Sequence, residues 1–433
     1  MKWRARQYLT LLMATAGIAG GAGMVRAQLG GPLPNLPQGG APGLAIPGPL
    51  SSFGLPRAQD LLVPVDNLAR RAAARLDGLR RQTFAQLVRA HPDAIVLDPQ
   101  GFPARAGEVV VDAPSDTLIA EATRAGYAII ERDDVLGVGF ARLRVPQGVS
   151  LERALDQLRK LGAEVSADQL HLASGVGAGI GVVAPPFAGQ QAKAETMVGV
   201  IDGGVEGAAM LRGFASGAPR PNDHGTAVAS LIAGGHGIRG ALPGARIASA
   251  DVYGTDPAGG NATAIAKALG WLVGARVPVV TISLVGPSNP LLARVVAAAQ
   301  ARGTIIVAAV GNNGAASPPA YPASYPGVIA VSGVDRRNRP LIEAGRAEHL
   351  DYVAPAADML AAGVNGRRFA VRGTSFAAPL VAGRIAAVYP TPDPAQVRGA
   401  LVKIDAEARQ SGLRGAEKNI GRGMVCGDCR TNL

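Results

Sequence analysis

The chain has 433 residues, enough for at least one large core, and its hydrophobic content of 48% against only 4% aromatic calls for a core of Ala, Val, Ile and Leu. The net charge of +11 raises nucleic acid as a partner, but the arginines at 70, 71, 75, 80, 81 and 89 fall on helical faces, the mark of a solvated helix. No nucleic acid is therefore expected, while attraction to an acidic cell surface stays open.

In chain order, Lys2, Arg4 and Arg6 precede an apolar run from Tyr8 to about Ile18, and Val25-Arg26-Ala27 offers small residues for a signal peptidase. Residues 1–27 read as a signal peptide, with an uncleaved anchor as the alternative; no later stretch is long and apolar enough to span a membrane, so no stable span is expected after cleavage. Residues 28–58 are rich in Gly and Pro and read as a flexible tether. Residues 59–104 form a basic region in which Leu68, Leu76, Leu79, Phe84 and Leu87 recur at near-helical spacing, an amphipathic helix that must pack on something.

Residues 105–172 alternate compactly. A strand over Glu108–Val111 is followed by a helix capped by Ser115 and stopped by Gly126, then by strands over Tyr127–Glu131 and Val138–Val145. A second helix capped by Ser150 and a strand over Ala163–Leu172 close the set. The order β-α-β-β-α-β is that of a small ferredoxin-like α+β domain. Residues 173–195, beginning Ala173-Ser174-Gly175-Val176-Gly177, are small and flexible, which makes them a linker suited to proteolytic nicking.

From residue 196 to 390 near-continuous apolar strands alternate with helices, the pattern of a mostly parallel sheet covered on both faces. The strand Met197–Ile201 ends in Asp202-Gly203-Gly204, which sets a carboxylate at a strand's carboxyl edge. Asn222-Asp223-His224-Gly225-Thr226 opens a small-residue helix with a histidine at its start, and Gly373-Thr374-Ser375-Phe376-Ala377-Ala378-Pro379 places a serine before another. A hydroxyl is a poor nucleophile unless a base takes its proton and a third group orients that base. Asp202, His224 and Ser375 offer those three roles. The strand Thr304–Ala309 delivers Gly311-Asn312-Asn313-Gly314, so Asn312 can donate to an oxyanion beside the Ser375 N–H.

In this order the motifs resemble the subtilisin-like serine proteases. Val200-Ile201-Asp202-Gly203-Gly204, His224-Gly225-Thr226, Ser283-Leu284, Gly311-Asn312-Asn313-Gly314 and the Gly373–Pro379 stretch carry the likeness, over roughly Met197 to Pro390. It implies a subtilisin-like α/β fold and a secreted or periplasmic serine endopeptidase that acts on peptides or proteins through an acyl-enzyme. Ser283, Leu284, Val285 and Gly286, with Ala309 and Gly311, are then expected to line the cleft. It also implies that the preceding small domain acts as a propeptide, an intramolecular inhibitor whose end lies in the cleft, with a permanent accessory domain as the alternative; the flexible linker puts maturation between Leu172 and Thr196.

Three departures stand out. Gly203 replaces the usual Ser or Thr, so a hydrogen bond near Asp202 is expected to be missing. Val285 and Ala320 replace common glycines, which predicts a shallow pocket for small or medium side chains before the cut. A short Gly234-Gly235-His236-Gly237 stands where some relatives hold calcium, so no metal is carried over and no cofactor is required, calcium remaining open.

His91, His171, His236 and His349 read as surface or loop residues. Residues 391–433 form a C-terminal extension with Cys426-Gly427-Asp428-Cys429, the chain's two cysteines. Zinc wants four ligands, so a small disulfide loop is expected, with free thiols as the alternative. Two further readings of the whole are a catalytically silent peptide-binding scaffold and a protease that acts only on its own linker.

Overall fold

The computed structural model describes residues 65–173, 176–178, 195–410 and 420–432. The expected signal peptide and tether over 1–58, and most of the expected linker, lie outside them.

The first unit opens with helix α1 (Val65–Ala90) and strand β1 (Ile95–Leu97). It continues through β2 (Pro103–Asp112), α2 (Asp116–Arg124), β3 (Ala128–Val135), β4 (Val138–Arg144), α3 (Leu151–Lys160) and β5 (Glu164–Gln169). Ser115 and Ser150 cap their helices, accepting from the Leu118 and Arg153 amides at 3.1 and 3.3 Å. The strands form an antiparallel sheet in which β4 lies between β3 and β2, and both β1 and β5 pair with β2. Because side chains alternate across a strand, β2 sends Val109 and Val111 into the unit's own core, with Ala141, Leu143, Leu155 and Leu158. Val110 faces the other way.

Two corrections arise here. The region over 59–104 is more than a helix, since it also supplies β1 and the first residues of β2. The strand expected to run to Leu172 ends at Gln169. Leu172–Ala173 (β6) instead leaves the small sheet to pair elsewhere, as does Val176–Ala178 (β7).

The second unit runs through β8 (Met197–Asp202), β9 (Met210–Gly213), α4 (Asp223–Ala233), β10 (Arg246–Asp251), α5 (Ala262–Gly274), β11 (Val279–Ile282) and β12 (Leu284–Val285). After these come α6 (Pro290–Ala301), β13 (Ile305–Ala309), β14 (Ile329–Val334), β15 (Tyr352–Pro355), β16 (Met359–Ala362), β17 (Arg368–Arg372), α7 (Ala378–Val388) and α8 (Val397–Gln410). Seven strands make one sheet in the order β15-β14-β13-β11-β8-β10-β9, with every neighbouring pair parallel. Both faces are covered. On β13, Ile305, Val307 and Ala309 face the layer of α4, α7 and α8, while Ile306 and Ala308, with Val310 just beyond, face α5 and α6.

Residues beyond 390 are not an appendage. Ala400, Ile404 and Ala408 of α8, with Val425, Cys426 and Cys429, are buried in the same core as α7. Cys426 and Cys429 form a disulfide. Its loop is held by Val425 N–H donating to the Val353 carbonyl at 2.9 Å and by Arg239 and Arg384 on Asp428. Among the described residues the one cluster of possible metal ligands is Cys426, Asp428 and Cys429, and both of its sulfurs are bonded to each other.

Candidate active site

The functional side chains gather at the carboxyl ends of the parallel strands, where ligands bind in such sheets. Asp202 is the last residue of β8 and is fully buried, whereas His224 stands in the first turn of α4 with its side chain 18% exposed. The two elements must approach closely for these side chains to meet. Glycines allow it: a Cβ on Gly225 would lie 2.3 Å from the Gly203 carbonyl oxygen, and one on Gly203 would lie 1.8 Å from Asn222 Nδ2. Asn222 in turn caps α4, its Oδ1 accepting from Gly225 N–H at 2.8 Å. The glycine after Asp202 is thus matched by Asn222, which fills the space where a larger residue would sit. The expected gap near Asp202 is further closed by the Gly203 N–H, which donates to Asp202 Oδ1 at 2.7 Å.

His224 Nδ1 lies 2.9 Å from both oxygens of Asp202. Burial opposes a charged imidazole, but the Asp202 charge and hydrogen bond outweigh it, so the His224 pKa is raised above the usual value. Nε2 is buried without a hydrogen-bond partner among the described residues. The ring packs against Phe376, centroids 5.5 Å apart, which brings it beside the residue following Ser375.

Ser375 lies in a 3-10 turn over Thr374–Phe376, entered through Gly373 at φ 132° and followed by α7. Its Oγ donates to the Ser283 carbonyl at 3.1 Å, and Ser283 Oγ donates back to the Ser375 carbonyl at 2.9 Å. With His224 Nε2 unpartnered among the described residues, Ser375 Oγ is not bonded to it here. A rotation of one side-chain torsion redirects Oγ, and such bonds often tighten only when substrate is bound. Asn312 follows the left-handed Gly311 (φ +83°) at the end of β13, and its Oδ1 accepts from Thr374 N–H at 3.0 Å. That bond fixes which way the amide faces, leaving the NH₂ as the group free to donate.

Of the expected cleft residues, Leu284 and Val285 form β12, Ser283 meets Ser375, and Gly286 pairs with Tyr321 through two 3.0 Å backbone bonds. Val285 Cγ1 and Cγ2 both lie 3.2 Å from where a Cβ on Gly311 would sit, so the side chain bridges the two walls of the cleft. Ala309 and Ala320 are buried.

The cleft is occupied by the chain itself. Ala173 and Leu172 of β6 pair antiparallel with Leu284 and Val285, and Leu170 bridges to Asn261 on the opposite side. Further along, Val176–Ala178 pairs antiparallel with Arg372–Ala370, the strand leading into Ser375. Ser174 and Gly175, which join these two pairings, lie outside the described residues.

His171, expected as a surface or loop residue, lies between β5 and β6 and is fully buried. Its N–H donates to the Gly260 carbonyl at 2.7 Å, its carbonyl accepts from Tyr253 Oη at 2.7 Å, and its ring lies against Gly286. Burial pushes its pKa down to about 4. Sequence reasoning missed Tyr253 and Gly260 as well. The signal available was the Gly259-Gly260-Asn261 run, since a Cβ on Gly260 would meet the His171 carbonyl at 2.6 Å.

Comparisons with known proteins bear on the family and the fold. A profile of the Subtilase family, Peptidase S8, matches residues 194–423. The chain is 31% identical over 277 residues to subtilisin amylosacchariticus from Bacillus subtilis subsp. amylosacchariticus, covering 58% of this chain and 72% of that one. It is 36% identical over 171 residues to subtilisin BL from Lederbergia lenta, covering 39% and 63%. Among solved structures, fervidolysin from Fervidobacterium pennivorans, a keratinolytic enzyme related to subtilisin, shares the fold with a TM-score of 0.63 at 18% identity, covering 78% of this chain and 63% of its own. The epidermin leader peptide processing serine protease of Staphylococcus aureus does so with a TM-score of 0.57 at 14% identity, covering 73% and 97%. With more than half of its length matched by the family profile and an Asp–His pair beside a serine at the sheet's carboxyl edge, this chain belongs to the subtilase family of serine peptidases.

Proposed function

We propose that the chain is an exported serine endopeptidase made as a precursor, in which Asp202, His224 and Ser375 act together and residues 105–172 serve as its intramolecular inhibitor. In this reading Ser375 Oγ attacks the carbonyl of the bond to be cut, His224 Nε2 takes the hydroxyl proton and returns it to the leaving amine, and Asp202 holds the ring through Nδ1. The oxyanion is received by the Asn312 amide and the Ser375 N–H. Water then repeats the sequence on the acyl-enzyme.

The observation that carries this reading is the pairing of β6 with β12, next to Ser283, and of β7 with β17, the strand that leads into Ser375. An extended peptide needs backbone partners on both sides of the bond that is cut, and β12 and β17 supply them to β6 and β7. The bond cut in maturation then lies between Ala173 and Val176. Val285 accounts for small residues there, because a side chain reaching between β12 and Gly311 meets the valine methyls. Export is supported by the basic and apolar start of the sequence, and no helix among the described residues is long and apolar enough to cross a membrane.

A fluorophosphonate probe and a peptide library test this directly. The reading requires Ser375 to take the label once the cleft is emptied, and the library to be cut after small residues. An unlabelled Ser375 would remove it from the mechanism, and a preference for large aromatics would remove Val285 from specificity. The same self-occupied cleft supports a second reading, a protease that acts only on its own chain. Failure to cut any added peptide, with Ser375 labelled, would select it.

A further inference from the structure

In an extended segment alternate side chains face opposite ways. Within the cleft, His171 turns inward onto Gly286, so its neighbours Leu170 and Leu172 must face outward, and in an open cleft they would meet water. They do not: Leu170 and Leu172 are 1% and 3% exposed. Their cover is the arm that opens the small unit, α1 and the edge strand β1. Phe84 of α1 and Ile95 of β1 form one apolar cluster with Leu170, Leu172 and, on the peptidase side, Ala258. Phe84 is fixed in turn by Phe102, ring centroids 6.2 Å apart, with the Arg80 guanidinium over both rings.

A polar link runs beside this cluster. Asp98 Oδ1 accepts from the Gln100 and Phe102 amides at 2.9 Å, which shapes the turn after β1, and Oδ2 accepts from Gln169 Nε2 at 3.1 Å. Gln169 Oε1 accepts from Asn289 Nδ2 at 2.7 Å, and Asn289 caps α6. The arm, the cleft segment and the peptidase are thus joined through two separate contacts, one apolar and one polar.

We propose that the arm from α1 to Phe102 is an autoinhibitory clasp, which closes over the outward face of residues 170–172 and holds them in the cleft whether or not the chain beyond Ala173 has been cut. The inference rests on reading this cleft as the active site, but its test does not need activity.

The experiment uses the full chain carrying Ser375→Ala, so that no self-cutting intervenes, and follows amide hydrogen exchange with and without Phe84→Ala. The clasp predicts at least tenfold faster exchange at Leu170 and His171, whose amides are bonded to the Pro103 and Gly260 carbonyls, with Val109–Val111 of β2 unchanged. Asp98→Ala moves the same amides in the same direction. Unchanged exchange at Leu170 and His171 would overturn the proposal. So would equal acceleration at Val109–Val111, since Phe84 would then only be supporting its own unit. Fluorophosphonate labelling of Ser375 in the wild-type sequence is read separately, so a silent serine counts against the catalytic reading and not against the clasp.

Discussion

The two sheets of this molecule are finished in different ways. The parallel sheet is covered on both faces by its own helices, with small apolar residues throughout, and it sets Asp202 and the loop of Asn312 at strand ends that nothing else must hold. The antiparallel sheet covers only one face itself. Its other face sends Val110, Val138 and Phe140 into the α5–α6 layer of its neighbour, alongside Lys267 paired with Glu131 and Arg105 paired with Asp256. A sheet completed by a partly charged seam depends on its neighbour, whereas one completed from within does not. The candidate site is built into the sheet that is complete in itself.

The comparison implies that changes in the parallel sheet alter turnover, while changes in the seam alter retention. The largest expected effect is on turnover: Asp202→Asn leaves the His224 ring without its orienting carboxylate and is expected to lower kcat about 10⁴-fold, measured on the separated peptidase with a peptide substrate. Asn312→Ala is expected to cost about 10²–10³ in kcat with little change in KM, a magnitude carried over from a subtilisin asparagine. Either variant with unchanged turnover would break the first half of the comparison.

On the other side, Phe140→Ala removes a fully buried ring from the seam, a loss of about 3 kcal/mol or more. It is expected to release the N-terminal unit at much lower denaturant, followed by size-exclusion, with kcat of the freed peptidase unaltered. Val285→Gly sharpens the comparison from within the cleft. It should raise kcat/KM for aromatic side chains before the cut by roughly tenfold or more, read from a substrate library.

The smallest effect is the pH profile. His224 must be neutral to accept a proton, and its raised pKa places the acid limb of kcat/KM above the ordinary imidazole value of about 6.5. Asp202→Asn removes the group that raises it, leaving burial, so the limb of any residual activity moves to lower pH. The same shift lets the charged pair stabilise the fold below about pH 6.5, a contribution lost as pH rises through the raised value. A limb that stays fixed in Asp202→Asn would assign it to another group.

Most of the parallel sheet is legible in the sequence because a strand buried on both faces is written as an unbroken apolar run, as in Ile305–Ala309. Asp202, His224, Asn312 and Ser375 are legible because each follows such a run or opens a helix with glycine beside it. What escapes is decided by partners distant in sequence. His171 is buried only because Gly260 and Gly286 come together around it. Gly203 looks like a loss until Asn222 is seen occupying its space. The residues after Tyr389 read as an extension since the apolar spacing of Ala400, Ile404 and Ala408 is short, and only the opposing face of α7 shows that they are core.

The most direct test of the account is the intact mass and N-terminal sequence of the chain expressed from Gln28, as wild type and as Ser375→Ala. The account predicts that the wild type alone is cut, with the new terminus falling between Ala173 and Val176, while the variant stays whole. A wild-type cut elsewhere in residues 179–194, or the same cut in both proteins, would contradict the claim that Ser375 acts on the chain between β6 and β7.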